Sequence, residues 1–181
     1  TLSGDTTEVS LETLTEDEAQ ALASLPKLRS VRAADCRDFE ALRKLKALRP
    51  EVQVKYHVPI GGKTFASDAV QLNLGGISPE EIDLLAYLPY VKTVTVSGGE
   101  PEVLKQLRSR CGEKGIAFRI RIGGSIVPED TRDLTLEAAS SEDVQLLYLL
   151  PRLEKVHFAE PAASGEMLVY VWQNVAMFRR E

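Results

Sequence analysis

Gly62-Lys63-Thr64 matches the end of a phosphate-binding loop, in which backbone N–H groups and a lysine cradle phosphate oxygens. That loop needs another glycine five residues before Gly62, and His57 stands there. No helical pattern starts directly after Thr64, and the corresponding stretch Gly123-Gly124-Ser125 has no lysine. Both places read as plain turns. Cys36 and Cys111 are the two thiols, and a nucleophilic thiol needs a base beside it and a depressed pKa. The two histidines, His57 and His157, have no cysteine or carboxylate at ligand spacing, so the pattern holds no zinc-type site. Carboxylates gather at Glu16-Asp17-Glu18 and Glu80-Glu81, where they complement the N-terminal dipole of a helix and need no acid–base role. The expectation is a chain with no catalytic residue, no metal and no cofactor, and with buried, unpaired structural thiols.

Charge narrows the partners. There are 22 Lys+Arg against 27 Asp+Glu in 181 residues, a net charge of -5. Nucleic-acid surfaces need concentrated positive charge, so no nucleic-acid partner is expected. Apolar runs such as Leu146-Leu147-Tyr148-Leu149-Leu150 fall far short of the roughly 18 residues of a membrane span. Hydrophobic residues at 44% and charged residues at 27% fit an ordinary globular chain. The first residue is Thr1 rather than Met, which reads as a processed form or a piece of a larger protein.

The elements that would position these residues repeat. Leu25-Pro26-Lys27-Leu28, Leu88-Pro89-Tyr90-Val91 and Leu150-Pro151-Arg152-Leu153 recur at intervals of 63 and 62 residues. The apolar residues ahead of them match: Ala19 and Leu22, Ile82 and Leu85, Val144 and Leu147. Capping boxes start each helix at Thr15-x-x-Glu18, Ser78-x-x-Glu81 and, with Asp, Ser140-x-x-Asp143. A second helix follows at Phe39, Leu42, Leu45 and Leu48, with its counterpart at Val103, Leu104 and Leu107. Strict alternation at Val52, Val54, Tyr56, Val58 and at Phe118, Ile120, Ile122 predicts strands, each ending in a Gly-Gly turn. The expected organisation is one domain over 1–181, with repeats at 7–68 and 69–130, a partial one at 131–160, and a β-rich cap at 161–181 that includes Tyr170 and Trp172.

Leu28-x-x-Val31-x-Ala33-x-x-Cys36 resembles the leucine-rich-repeat pattern, as do Val91-x-x-Val94-x-Val96 and Leu153-x-x-Val156-x-Phe158. The chain is similar to divergent leucine-rich repeats of secreted or surface-attached bacterial proteins, although the family's asparagine ladder is absent. The resemblance implies a right-handed α/β solenoid with one curved parallel sheet and helices on its outer side. It further implies secretion or surface attachment, a packed Cys36, and a role in binding rather than catalysis. A doubly wound sheet is the alternative, disfavoured by the even period.

Such a solenoid would bind on its sheet face. The outward strand positions include Glu8, Ser10 and Glu12, then Arg32, Lys55 and His57, then Gln71, Asn73, Thr93 and Thr95, then Arg119 and Arg121, then Asp133, Thr135 and Glu137, then Lys155, His157 and Ala159. Cross-strand neutralisation is expected between Glu12 and Arg32, and between Arg119, Arg121 and Asp133, Glu137. What is left defines the candidate binding residues: Arg32, Lys55, His57, Asn73, Thr95, Arg119 and Arg121. They would make a shallow polar patch with basic edges for a protein, an acidic peptide or an anionic glycan. A spacer in a larger surface protein and a ligand-processing enzyme are the rivals. The basic helix residues Arg43, Lys44, Lys46 and Arg49, like Lys105, Arg108 and Arg110, read as solvated surface.

Overall fold

A computed structural model describes residues 3–136 and 140–158. Three capping boxes set the helix starts. The Thr15 and Ser140 hydroxyls accept from the Glu18 and Asp143 amides at 3.3 and 3.1 Å, and those carboxylates accept from the cap amides at 2.8 and 2.9 Å. At Ser78 the amide donates to the Glu81 carboxylate at 2.9 Å.

The first run of elements is β1 (Glu8–Leu11), α1 (Glu16–Ala23), β2 (Ser30–Ala33), α2 (Phe39–Leu48), β3 (Gln53–Ile60) and β4 (Lys63–Ala66). The second is β5 (Gln71–Leu74), α3 (Pro79–Ile82) running into a 3₁₀ turn (Asp83–Tyr87), β6 (Thr93–Val96), α4 (Pro101–Glu113), β7 (Ala117–Ile122) and β8 (Ser125–Pro128). Then follow β9 (Asp133–Leu136), α5 (Ser141–Gln145), a 3₁₀ turn (Leu146–Leu149) and β10 (Lys155–Phe158). The sequence predicts an uninterrupted helix before each Leu-Pro pair, and only α1 is one. Ile82, Leu85, Leu88 and Val144, Leu147, Leu150 are all buried and spaced by three. A 3₁₀ turn eclipses residues three apart, so it aligns such a set on one face better than an α-helix does.

The continuous curved parallel sheet of a solenoid is not formed. The strands make three separate sheets, ordered β1-β2-β3-β4, β5-β6-β7-β8 and β10-β9. The first two are mixed, because β4 and β8 run antiparallel to β3 and β7. The cause lies in the glycine pairs. Gly61 and Gly62 have φ of 60° and 70°, and Gly123 and Gly124 have 54° and 82°. Positive φ at both central residues makes the tight hairpin turn whose twist matches antiparallel strands. The chain therefore folds straight back on β3 and β7, and the returning strand takes the edge that the next repeat would have used.

By packing, the described residues fall into two compact units. One holds the residues up to Ala69 with Leu84–Tyr90, the other Val70–Asp83 with the residues from Val91 on. In the first, Leu14, Leu22, Leu28, Val31, Leu42 and Leu45 form the core, with Phe39, Val54 and Tyr56 packed on its margin. Arg49 Nη1 donates to the carbonyls of Ala23 and Leu25 at 3.0 and 2.8 Å, satisfying the open end of α1. In the second, Leu72, Leu74, Leu104, Leu107, Phe118, Ile120 and Ile122 are buried. Arg108 Nη1 donates to the Leu149 carbonyl at 2.9 Å and the Tyr148 hydroxyl to that of Pro101 at 2.9 Å. The proposed cap at 161–181, with Tyr170 and Trp172, lies outside the described residues, as do Glu137 and Ala159.

Candidate functional site

Strand register distributes the candidate residues over two faces. In the first unit Arg32 and Lys55 are direct partners across β2 and β3, with Ser10 opposite Arg32 on β1. His57 follows two residues after Lys55, its Nδ1 3.1 Å from the Ala34 carbonyl. In the second unit Asn73, Thr95 and Arg119 stand in one rung across β5, β6 and β7, and Arg121 follows on β7 opposite Ile126. All are exposed except Thr95, which is 6% exposed and buried. The sheet order removes the expected neutralisation of Arg119 and Arg121. The other edge of β7 carries β8, whereas Asp133 belongs to the β9–β10 pair. In the same way β4, not β5, lies beside β3, so Lys55 has no rung with Gln71.

Cys36 is 2% exposed, its Sγ 3.5 Å from the Leu14 carbonyl and 3.4 Å from that of Asp38. Burial, aided by the Glu129 charge, pushes the Cys111 thiol up to about 12. It is a thiol, not a nucleophilic thiolate, at neutral pH. Gly62-Lys63-Thr64 leads from the hairpin turn into β4, not into a helix. No group of three or more His, Cys, Asp or Glu arranged to hold a metal occurs among the described residues. Among those residues no helix is long and apolar enough to cross a membrane.

A groove in the first unit, with a volume of about 680 Å³, gathers the feature that the sequence leaves scattered. Its floor and walls include Leu42, Arg43 and Lys46 of α2, Lys55 and Tyr56 of β3, and Tyr87 and Tyr90. Asp68 is the one carboxylate on its lining. The aromatic wall is held from several sides. Tyr87 stacks on Phe39 with ring centroids 4.6 Å apart, and Phe39 meets Tyr56 edge-on at 6.5 Å. The Tyr56 hydroxyl donates to the Tyr87 carbonyl at 2.6 Å, and the Tyr87 hydroxyl to Glu40 at 3.0 Å. Burial raises the pKa of Tyr56, and burial together with the Glu40 bond raises that of Tyr87, so both phenols are neutral. Tyr90 is 62% exposed, an unusual fraction for a large aromatic ring.

The cations differ in how far they are committed. Lys46 Nζ donates to the carbonyls of Pro50 and Val52 at 2.8 and 3.0 Å, closing the end of α2. Arg43 makes an exposed contact of 3.7 Å with Glu40. Lys55 and its partner Arg32 have no ion pair among the described residues. Like charges directly opposite on adjacent strands oppose pairing, and an anion beside them would relieve that.

Sequence reading places Tyr56 on the inner side of its strand and Arg43 and Lys46 on a solvated helix face. It gives no role to Tyr87 or Tyr90. One signal was available: Tyr90 stands where the other two Leu-Pro segments carry Lys27 and Arg152. Comparison of the chain with known protein families, curated proteins and solved structures finds no match.

Proposed function

We propose that this chain is a non-enzymatic interaction module that takes an acidic segment of a partner protein in the groove of its first unit. The observation that carries the reading is the composition of that groove, with Arg43, Lys46 and Lys55 set among Tyr56, Tyr87 and Tyr90 against a single carboxylate, Asp68. Tyr and Arg are the side chains that most often dominate binding energy at interfaces. The apolar area of the rings supplies affinity and the cations supply sign selection and faster encounter. The resemblance to leucine-rich repeats, whose solenoid is not formed, is the sole support for secretion or a cell-surface location.

The test is titration with fluorescent polyglutamate. Arg43→Glu with Lys55→Glu is expected to weaken binding about tenfold or more, equal to about 1.4 kcal/mol. Arg119→Glu with Arg121→Glu, in the second unit, is expected to change it by less than about twofold, as for exposed charges away from a site. Equal losses from the two pairs would contradict the reading. Preference for a sulfated glycan over polyglutamate would transfer the site to a glycan partner.

A further inference from the structure

We infer that the groove receives its partner as an extended strand, paired through the backbone of Val54 at an open stretch of the β3 edge. The inference rests on the acidic-segment reading above and specifies how that segment is held.

Within β3, backbone groups alternate in direction. The Gln53 amide donates to the Arg29 carbonyl at 2.8 Å, so Gln53 and Lys55 turn their N–H and C=O toward β2. Tyr56 faces the other way. Its amide donates to Ser67 Oγ at 3.4 Å, and its carbonyl accepts from the Ser67 amide at 2.8 Å. Val54 shares the direction of Tyr56, but β4 pairs only with His57–Ile60 and does not reach it. The chain turns away just past Ser67, where the Ala69 amide donates to the Ala66 carbonyl at 2.9 Å. The N–H and C=O of Val54 are thus left pointing into the groove that Val54 itself lines.

Unpaired edges of this kind are templates for strand addition, and natural sheets shield them unless they are used. The second unit shows the shielded form. Aligned on the glycine pairs, Ile116 occupies the place of Val54, and its amide donates to the Cys111 carbonyl at the end of α4, at 2.8 Å. The opposite edge of the first sheet, β1, carries Glu8 and is followed by Glu12, which would repel an acidic strand.

An added strand continues the alternation of the sheet. Residues of the partner on the Lys55 side meet Lys55 and, one strand further, Arg32, so carboxylates fit there. Residues on the Val54–Tyr56 side meet Leu42, Tyr87 and Tyr90, so apolar or aromatic side chains fit there, and the end of the peptide that reaches Arg43 and Lys46 of α2, on that same side, is acidic. The partner is therefore an extended peptide alternating acidic with apolar residues. Val54 offers one donor and one acceptor, which fix register, while the rings and cations supply most of the affinity.

The probe is a short acetylated peptide alternating glutamate with valine and phenylalanine, titrated against the whole chain by fluorescence anisotropy. Single N-methylations are placed along it. Methylation at one central position, whose N–H would meet the Val54 carbonyl, is expected to weaken binding about tenfold, and methylation of the residues on either side far less. Val54→Pro, which removes the donor at an edge position that tolerates proline, is expected to give a comparable loss. If the N-methyl series is flat while the peptide still binds and still requires Arg43 and Lys55, strand pairing is overturned and the acidic-segment reading stands. If neither this peptide nor polyglutamate binds, both fail.

Discussion

The two units share a β-α-β-α-β-β order, to which the second adds β9, α5 and β10, and they differ at the aromatic position of the third strand. Phe118 of β7 is 2% exposed, whereas Ile120 and Ile122 beyond it are fully buried just as their counterparts Val58 and Ile60 are in β3. Tyr56, at the place of Phe118 relative to the glycine pair, is only half-buried and donates its hydroxyl to the Tyr87 carbonyl. In the second unit the Cys111 carbonyl of the longer α4 accepts from the Ile116 amide, and β7 starts only at Ala117. In the first, the shorter α2 stops at Leu48 and β3 begins at Gln53, farther ahead of its turn, exposing an edge. A polar ring at this position and a three-residue difference in helix length, 10 against 13, accompany the open edge of β3.

The largest effect that would break this comparison is at the paired aromatic positions. Phe118→Ala is expected to cost about 3–5 kcal/mol in urea unfolding, the range for a buried ring. Tyr56→Ala is expected to cost clearly less while abolishing peptide binding. Equal destabilisation would mean that the two places are packed alike and that the groove is not open.

Next comes the alkaline response of the second unit. The Cys111 thiol ordinarily titrates at 9.0 and is raised to about 12 when buried. Its contribution is whole below pH 9.0 and is lost as pH climbs toward 12, by up to about 4 kcal/mol. Urea midpoints measured at pH 8 and pH 10.5 should fall further for the native chain than for Cys111→Ala. Parallel declines would show that ionisation of this thiol does not limit alkaline stability.

Smaller effects should be shared by the units. An added Cβ at Gly62 or Gly124 meets nothing within 4 Å, so alanine there carries only the backbone cost of φ near +70° and +82°. About 1–2 kcal/mol is expected at each, read from thermal melts. A markedly larger loss at one would show that the two hairpins are not equivalent. Tyr56→Phe, which removes one hydrogen bond, is expected to cost about 1 kcal/mol.

Much of this was legible in the sequence, and the exceptions have physical causes. Thr15, Ser78 and Ser140 announce their helices because a capping box is local chemistry. Alternation locates β3 and β7, and Gly61-Gly62 and Gly123-Gly124 locate the turns. What sequence period alone did not convey was the direction of the chain after those turns. Reading each turn as a step to the next layer of one long sheet gave neighbours, such as Lys55 beside Gln71, that the antiparallel β4 excludes. Positive φ at both glycines was the overlooked signal, since that geometry reverses the chain at once. Of the proposed binding residues, Arg32 and Lys55 do share a rung and Asn73, Thr95 and Arg119 another, because period two fixes the face of each strand. The groove was harder to foresee. Arg43 and Lys46 look solvated on a helical wheel, and Tyr87 reaches Phe39 across 48 residues of sequence, a contact that no local pattern encodes.

The central claim is that the first unit, and not the second, recognises an acidic extended segment. Amide chemical-shift mapping of the chain titrated with the alternating glutamate peptide tests it most directly. The expected result is a set of shifts confined to Val54, Lys55, Tyr56, Ser67 and Tyr87, saturating together, with Thr95, Arg119 and Arg121 unmoved. Shifts centred on Arg119 and Arg121 with the groove silent would contradict it.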